Sequence, residues 1–281
     1  MKIDLGCHVD GYIASAAHTV VVGGGEDGKV GELDDDVKDV CTASYMAMKV
    51  AAEFIKPGNK NSDVTEALSR VSEAYGVKFI GNVRMHQMKQ YVIDGSKEIA
   101  LMKHDPDSQE EKVETCTFEE NEVYCVDVAM STGEGKGREG DDRTTVFKRN
   151  VDKHYKVKMK SSHYVLKAVQ EHFPTMPFTL RMMDDERQAK MGVQECVNHE
   201  LLTAYPVFNE RENAHVGHFK CTVLLMPTGN KVITGHPLPQ EYESAKELDE
   251  ENRKVLDECR EREEKKKKKQ QAKKNKNKKK K

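Results

Sequence analysis

The sequence predicts an α+β fold from three observations. First, strand-like residues on both sides of Asp10-Gly11 predict a strand pair over residues 2–22, because Asp-Gly favours a two-residue hairpin turn. Second, apolar residues near 3.6-residue spacing predict a helix over residues 34–55, which Pro57-Gly58 ends. Third, strand-like runs return after the helices, at residues 78–93, 122–130 and 144–148.

Three further helices are predicted. Asp63-Val64-Thr65-Glu66 resembles a capping box with Asp63 in the cap position, so a helix is expected from there to about Gly76. Another is expected to follow the lysine-rich segment at 156–160 and to end at Pro174. The third is expected at about 184–203.

The C-terminal part combines a hairpin with a strongly charged segment. Residues 219–226 and 231–234 predict a closing β-hairpin. From Glu241 onward apolar residues are few, which predicts a charged helix with little packing that leads into a disordered or helical lysine run. Residues 265–281 contain 12 lysines and no acid, which leaves 34 basic against 48 acidic residues elsewhere. An acidic body therefore carries a polycationic tail.

The lysine run is the clearest candidate for nucleic-acid binding. Lysines neutralise phosphates and release counterions, which predicts salt-dependent RNA binding with little sequence preference. Such a run is also typical of nuclear or nucleolar localisation. The alternative is a solvated tail that only keeps the protein soluble. The candidate lysines are Lys265, Lys266, Lys267, Lys268, Lys269, Lys273, Lys274, Lys276, Lys278, Lys279, Lys280 and Lys281.

Two other segments carry candidate RNA contacts. One is the entrance to the helical segment after residue 155. The other is the glycine-rich run 133–138, which lacks the G-x-x-x-x-G-K-[ST] pattern, so contact with an RNA backbone and a flexible connection remain alternatives. The candidates are Lys156, Lys158, Lys160, Lys167, Lys136 and Arg138.

Cysteine spacing and hydropathy exclude several classes of protein. The seven cysteines are scattered and form no C-x-x-C pair, so neither a zinc cluster nor a disulfide framework is predicted, and a reduced compartment is favoured. No apolar run has the length needed to span a membrane, so no membrane partner is predicted.

Several unusual phrases occur in a fixed order over most of the chain. They are Lys2-Ile3-Asp4-Leu5-Gly6, His86-Gln87-Met88-Lys89-Gln90, Glu122-Val123-Tyr124, Ser131-Thr132-Gly133-Glu134-Gly135-Lys136, Met176-Pro177-Phe178-Thr179-Leu180-Arg181, Met191-Gly192-Val193 and Phe219-Lys220. The chain resembles the proliferation-associated (ErbB-binding) protein family, a non-peptidase branch of the type II methionine aminopeptidase-like superfamily.

The resemblance implies a pita-bread fold with a helical insert. The expected divisions are a first part of the core at 1–154, an insert at 155–215, a closing hairpin at 216–240 and the charged helix with its tail at 241–281. Members of the family have a further αβ unit upstream of the Asp4 strand, so the resemblance implies a fold that is truncated at its N terminus.

The resemblance also implies a degenerate two-metal site. The peptidase ligands Asp, Asp, His, Glu and Glu correspond to Asp4, Ser15, His86, Asp127 and Lys220. Ser15 removes a carboxylate and Lys220 reverses a charge. At an effective dielectric near 20, a unit-charge pair at 4 Å is worth about 4 kcal/mol, and a divalent ion doubles the repulsion from an ammonium. We therefore expect no dinuclear centre, no cofactor and no aminopeptidase activity.

Lys220 has a predicted structural role in place of the metal. We expect its ammonium to pair with Asp4 and Asp127, so that a side-chain cation holds the strands together. The alternative is that Lys220 extends to solvent and Asp4 is an ordinary strand residue.

The function implied by the resemblance is non-catalytic. It comprises binding to rRNA and to the large ribosomal subunit or pre-ribosomal particles, and action in ribosome biogenesis, translation and growth regulation, in the cytoplasm and the nucleus or nucleolus. One alternative is a mononuclear metallohydrolase that uses Asp4, His86 and Asp127. Another is an adaptor that binds protein partners in the vestigial peptidase groove.

Overall fold

The computed structural model describes residues 1–23, 31–81, 83–104, 112–140 and 142–278, with the backbone alone described at 263, 266, 267 and 269–278. The strands are β1 (Lys2–Val9), β2 (Tyr12–Thr19), β3 (Lys78–Phe79), β4 (Arg84–Met88), β5 (Glu98–Ala100), β6 (Val123–Ser131), β7 (Arg138–Glu139), β8 (Val146–Arg149), β9 (Phe178–Thr179), β10 (Leu202–Ala204), β11 (Phe208–Asn209), β12 (Val216–Met226) and β13 (Gly229–Val232). The helices are α1 (Asp35–Phe54), α2 (Asn61–Tyr75), α3 (Lys160–His172), α4 (Glu186–Asn198) and α5 (Glu250–Lys278), with 3-10 turns at Leu180–Met182 and Gln240–Tyr242.

The main sheet has eight antiparallel strands. Its order is β1-β2-β12-β6-β4-β5, with β13 paired to β12 and β3 paired to β6. β1 and β2 form the predicted hairpin, in which Val9 pairs with Tyr12 across Asp10-Gly11. Every residue of β1, which lies at one edge of the sheet, is exposed. The long strands β6 and β12 form the centre of the sheet.

One face of the sheet is covered by helices. α1 and α2 contribute alanines, valines and Leu68 to the main apolar cluster, and α1 packs on β12 and β6. On β12 the residues of this face alternate along the strand, as the two-residue period of a strand requires. They are Phe219, Cys221, Val223 and Leu225, all fully or almost fully buried. The intervening residues of β12, including Lys220, therefore lie on the opposite face.

The start of α2 differs from the prediction. The helix begins at Asn61, so Asp63 is the third helical residue and not the cap. Its carboxylate accepts a hydrogen bond from the backbone N–H of Lys60 at 2.8 Å. Asp63 thus satisfies an N–H at the helix start from inside the helix, which is the role of the acidic partner in a capping box. Gly76, with φ of +66°, ends the helix as predicted.

A second apolar cluster lies between residues 147 and 204. It combines α3 and α4 with the three-stranded sheet β10-β8-β9. The largest buried side chains in it include Phe147, Phe178 and Leu202. β8 precedes residue 155 yet pairs with β10, so this unit draws on sequence before the predicted insert boundary. The boundary itself remains a prediction.

Two predicted elements are shorter than the sequence suggested. The strand expected at 78–93 is divided into β3 and β4, which pair with different ends of β6. The helix expected to reach residue 203 ends at Asn198. Glu200 there has φ of +56°, a left-handed conformation that stops the helix and lets β10 pair with β8.

The C-terminal segment packs more firmly than the sequence suggested. Tyr242, Leu248 and Leu256 are buried members of the main apolar cluster, so the expectation of little packing was wrong for the segment up to residue 256. α5 then continues through Lys278, which makes this part of the tail helical. A few spaced apolar side chains pack the start of α5 against α1 and α2.

Candidate functional site

The face of the sheet opposite the helices brings three predicted site residues together. Strand pairing places Lys220 opposite both Ala17 and Asp127, and Asp4 opposite Ala17. The Lys220 Nζ lies 2.8 Å from Asp4 Oδ2 and 3.0 Å from Asp127 Oδ2. The side chains of Lys220 and Asp127 are 14% and 15% exposed. The ion pair expected from the sequence is confirmed, and the alternative of a solvent-extended Lys220 is wrong.

His218 completes this cluster and was not predicted from the sequence. Its Nε2 lies 2.7 Å from Asp127 Oδ1, so the two carboxylate oxygens of Asp127 have separate partners. The sequence could have predicted its position, because His218 lies two residues before Lys220 on a strand and therefore on the same face.

Burial and charge act in opposite directions on these groups. Burial by itself would raise the pKa of Asp127, but the hydrogen bond to His218 and the charge of Lys220 outweigh it and hold that pKa below its usual value. Burial would lower the pKa of Lys220, but Asp127, Cys125 and Asp4 raise it above its usual value. Both partners are therefore charged at neutral pH.

The other two predicted positions, Ser15 and His86, are not members of this ion pair. Ser15 is buried, and its Oγ lies 3.3 Å from the Sγ of Cys125 and 3.4 Å from the Oγ1 of Thr222. His86 pairs with Cys125 across β4 and β6, and its Nδ1 is buried without a hydrogen-bond partner among the described residues. In the described part of the chain, no hydrogen bond or ion pair joins either residue to Lys220.

These residues do not fit a two-metal centre. An ammonium lies between the two carboxylates that would have to bind the ions, and it repels a divalent cation. Within the residues that the structure describes, no group of three or more His, Cys, Asp or Glu side chains is placed to hold a metal ion. Burial raises the pKa of the nearby Cys125 thiol to about 12, so this thiol is protonated at neutral pH, which disfavours a nucleophilic role.

The second apolar unit carries a basic groove of about 400 Å³. Its lining includes Arg149, Lys153, His154, Tyr155 and Lys156. Of these only Lys156 was predicted as a candidate. Lys153, His154 and Tyr155 were missed although they directly precede Lys156, whereas Arg149 lies at the end of β8 and reaches the groove only through the turn that follows.

An aromatic pair lies at the edge of this groove. The ring of Tyr155 is stacked on that of His199 at 3.6 Å between centroids and 14° between planes. Lys167 lines an adjoining groove that shares Leu166 and Gln170 with the first. The remaining predicted lysines, Lys158 and Lys160, are exposed at the start of α3.

The start of α3 explains why these lysines are presented to solvent. The Glu195 carboxylate accepts hydrogen bonds from the backbone N–H groups of Lys158 at 2.8 Å and Met159 at 3.1 Å. An acid at a helix N terminus satisfies N–H groups there and stabilises the helix. The backbone is thus fixed while the lysine side chains remain outside.

The glycine-rich run 133–138 does not cradle a phosphate. The N–H groups of Glu134 and Gly135 both donate to Glu210 Oε1, at 2.6 and 3.3 Å. An internal carboxylate therefore occupies the position that an anion would take. Arg138 is exposed and pairs with Glu134 at 3.1 Å, and it lies in β7, which pairs with β11. The exposed Lys136 and Arg138 are still predicted RNA contacts, since these hydrogen bonds occupy only the backbone N–H groups of the loop.

The lysines of the tail lie on or beyond α5. Lys265 and Lys268 are exposed and pair with Glu261 and Glu264 one turn earlier, at 3.2 and 3.9 Å. The backbone at Lys266, Lys267, Lys269, Lys273, Lys274, Lys276 and Lys278 is helical. Lys279, Lys280 and Lys281 lie outside the described residues.

No helix in the described ranges is both long enough and apolar enough to cross a bilayer.

Comparison with known proteins identifies a matching family and two related proteins. Residues 1–143 match the model of metallopeptidase family M24. The chain is 45% identical over 252 residues to "ERBB-3 binding protein 1" of Solanum tuberosum, covering 89% of this chain and 62% of that protein. It is 40% identical over 239 residues to "Proliferation-associated protein A" of Dictyostelium discoideum, covering 85% and 60%. The chain thus spans about 60% of the length of these relatives.

The fold has a counterpart among solved structures. A structure described as a thermophilic Arx1 superposes with a TM-score of 0.77 at 28% identity, covering 91% of this chain and 72% of the other. The predicted α+β pita-bread fold is confirmed by this match and by the family model. The chain belongs to metallopeptidase family M24, in its branch of proliferation-associated and ErbB-3-binding proteins.

Proposed function

We propose that this chain is a non-catalytic member of its family that binds RNA and ribosomal particles. The observation that carries the proposal is the placement of its cations. Lys220 stands between the carboxylates of the former metal site, while one set of exposed cations lines the basic groove and another lies along α5. On this proposal the former metal site has no catalytic activity, and the cations of the groove and of α5 bind phosphate groups.

The absence of peptidase chemistry is supported by the geometry of the former metal site. A two-metal hydrolase uses both ions to hold the attacking water and the leaving oxygen. Here Asp4 and Asp127 share an ammonium, and Ser15 hydrogen-bonds with Cys125 and Thr222 instead. A mononuclear site of Asp4, His86 and Asp127 is not favoured, because Lys220 and His218 already bind the Asp127 oxygens.

RNA binding is supported by two basic surfaces of different character. The groove beside α3 combines cations with the stacked rings of Tyr155 and His199, and aromatic faces suit unpaired bases. α5 offers lysines in high density, which suits the phosphate backbone. On this proposal the groove positions the protein on folded rRNA, and the tail adds affinity that depends little on sequence.

The proposed biological role follows from the family. The partners are rRNA and the large ribosomal subunit or pre-ribosomal particles, and the processes are ribosome biogenesis, translation and growth regulation. The proposed locations are the cytoplasm and the nucleus or nucleolus, since the lysine run is also typical of a nuclear or nucleolar localisation signal. Binding of protein partners in the vestigial groove remains an alternative.

The test compares three proteins for binding to a structured rRNA fragment over a range of KCl concentrations. One lacks residues 265–281, one carries Lys156, Lys158, Lys160 and Lys167 changed to Ala, and the matched control carries the exposed Lys2, Lys78, Lys89 and Lys231 changed to Ala. We expect the first two to bind more weakly. The slope of log K against log salt should fall by about 0.7–0.9 for each phosphate that the variant no longer neutralises.

Two results would contradict the proposal. One is an equal decrease in affinity in the insert variant and its control, which would show that the decrease is caused by the change in net charge and not by the position of the lysines. The other is RNA binding that is unaffected by the deletion at every salt concentration. Partners that remain in a pull-down after ribonuclease treatment would favour the adaptor function.

A further inference from the structure

The strand β1 forms one edge of the main sheet. Among the described strands it pairs only with β2, and this pairing runs without interruption from Lys2 opposite Thr19 to Val9 opposite Tyr12. β1 contains no proline, and all eight of its residues are exposed. A regular, exposed edge presents a row of N–H and C=O groups that can pair with another strand.

The backbone groups that face outward from β1 belong to alternate residues. Met1 and Val20 exchange two backbone hydrogen bonds, at 2.6 Å from Met1 N and 2.8 Å from Val20 N. Hydrogen-bonded positions recur at every second residue of an antiparallel pair, so the odd-numbered residues of β1 bond to β2. The outward N–H and C=O groups therefore belong to the even-numbered residues from Lys2 to His8.

The side chains of β1 form a polar row and an apolar row. Asp4 is opposite Ala17, which is opposite Lys220, so the even-numbered residues lie on the same face as the ion pair. The odd-numbered residues lie on the other face, and Leu5 and Val9 there are 66% and 75% exposed. An apolar stripe thus continues beyond the part of the sheet that the described helices cover.

We propose that this edge binds a second copy of the chain, with the two β1 strands antiparallel and related by a two-fold axis at Gly6. This register places Asp4 opposite His8 of the second copy and Lys2 opposite its Asp10. Complementary polar groups in facing positions stabilise an antiparallel pair. The two main sheets then join into one continuous sheet.

The register follows from the backbone and from the charges. A shift by one residue would place the outward groups of one strand opposite the inward groups of the other, so it is excluded. A shift by two residues in one direction places Lys2 opposite His8 and Asp4 opposite Gly6, so both charges lose their partners. The same shift in the other direction places Asp4 opposite Asp10, and like charges in facing positions destabilise the pair.

Each copy holds Asp4 and His8 ready for this contact. His8 Nδ1 accepts the Gly11 N–H at 3.2 Å, so the neutral ring carries its hydrogen on Nε2. Asp4 binds Lys220 through Oδ2, and the Asp4 side chain is 48% exposed. His8 therefore offers a donor where Asp4 of the second copy offers its second carboxylate oxygen. The ion pair at Lys220 then extends across the interface in both directions.

Apolar residues meet on the other face of the joined sheet. The same register places Ile3 opposite Val9 and Leu5 opposite Cys7. Burial of these side chains adds to the small net gain from backbone hydrogen bonds, which replace bonds to water. A contact limited to one strand pair is small for a stable dimer, so we expect a reversible association that depends on protein concentration.

The first test removes the N–H group at the two-fold axis. Gly6→Pro deletes the two central hydrogen bonds of the dimer, one from each copy, and an outward-facing N–H on an edge strand is a position that tolerates proline. The matched control Gly6→Ala keeps the N–H group. A Cβ at this position would approach only the backbone oxygen of Ala14, at 4.0 Å.

The second test keeps the backbone and changes the charge. His8→Glu places a like charge opposite Asp4, whereas His8→Lys places an opposite charge there. Both variants lose the same contact with Gly11, so they are matched in their effect on the turn. This pair decides the outcome if Gly6→Pro does not fold.

Sedimentation equilibrium of the 281-residue chain at several protein concentrations measures the dissociation constant of the dimer. Thermal unfolding of each variant verifies that the fold is retained. We expect Gly6→Pro to dimerise at least roughly tenfold more weakly than Gly6→Ala, because two hydrogen bonds are lost. His8→Glu should dimerise more weakly than His8→Lys. The N–H groups of Asp4, Gly6 and His8 should be protected from exchange only at concentrations at which the dimer forms.

Three results would overturn the inference. One is a chain that stays monomeric at every concentration. Another is a dimer with equal affinity in both members of a variant pair, since that dimer would use a different surface. The third is protection of the outward N–H groups at every concentration, which would mean that another segment of the same chain covers β1.

Discussion

Lys220 on β12 and Asp127 on β6 are directly opposite each other, and their charged atoms lie 3.0 Å apart. Residues opposite each other on an antiparallel pair share a face, so the strand register alone brings the ammonium to the carboxylate. Asp4 reaches the same ammonium from the outer strand β1. One side chain thus connects three separate segments of the sheet.

Removing the ammonium should destabilise the protein. In Lys220→Met the largely buried Asp127 loses its counter-charge. Removing one member of a buried pair costs about 3–5 kcal/mol, and the partial exposure here reduces the expected loss of stability to about 2 kcal/mol. Urea unfolding at pH 7 measures it. In the control Lys190→Met the partners are 44% and 40% exposed, so the loss of stability should stay below about 1 kcal/mol.

The second change that would identify the pair is Asp127→Asn in the Lys220→Met background. Asp127→Asn removes the buried charge that Lys220→Met leaves without a counter-charge. It should therefore restore part of the free energy of unfolding that Lys220→Met removes. A double variant that is less stable by the sum of the two single effects would contradict the ion pair, because independent sites add.

The decrease in the free energy of unfolding at acid pH should depend on Asp127. Its pKa is lowered in the folded state, so its contribution is complete above the unfolded value of about 3.9 and is lost as the pH falls through the folded value. Asp127→Asn should therefore be most destabilising near pH 7 and less so at pH 3. Unfolding free energies at both values test this, with the exposed Asp152→Asn as control. An unchanged difference at the two pH values would argue against it.

Divalent metal should not stabilise the natural protein. Neither EDTA nor added Mn²⁺ should shift its thermal unfolding, because Lys220 repels the ion. Lys220→Glu places a third carboxylate beside Asp4 and Asp127, and it should gain stability with rising Mn²⁺ according to its affinity. Lys220→Met, which lacks that carboxylate, serves as control. Stabilisation of the natural protein by Mn²⁺ would support the mononuclear enzyme instead.

Close packing of α3 on α4 should depend on Gly192. A Cβ at this position would lie 2.3 Å from the backbone carbon and oxygen of Ser161. Gly192→Ala should force the helices apart and cost about 1–3 kcal/mol, as overpacking does. Intrinsic helix propensity favours Ala, so a net decrease in stability measured by denaturant unfolding would be due to this close approach. The adjacent Met191→Ala, which is 64% exposed in the natural protein, should change little.

Much of the fold could be predicted because local patterns agree with it. The Asp-Gly turn, the 3.6-residue spacing of α1 and the stop at Gly76 all depend on neighbours in sequence. The division of 78–93 into β3 and β4 could not be predicted, because each part pairs with a different end of β6. The seating of Leu256 on α1 and α2 was missed for the same reason, since one leucine in a charged helix gives no periodic signal.

Part of the site could be predicted, because the family resemblance indicates the metal-ligand positions and because a buried lysine needs a carboxylate partner. Asp4, Asp127 and Lys220 were expected to meet, and they do. His218 was missed although it lies on the same strand face as Lys220. In the basic groove, Arg149 was missed because it reaches the groove through the turn after β8, whereas Tyr155 was missed although it adjoins Lys156 in sequence. Glu210, which accepts the N–H groups of the glycine-rich loop, is more than 70 residues away in sequence.

The two apolar clusters have a consequence for how the protein responds to stress. They share no residue, and one contains the sheet while the other contains α3, α4 and the basic groove. We expect each to act as a separate cooperative unit, so that the smaller one opens without global unfolding. Reshaping the groove should then cost less free energy than global unfolding, and probes placed in the two units should report different unfolding transitions.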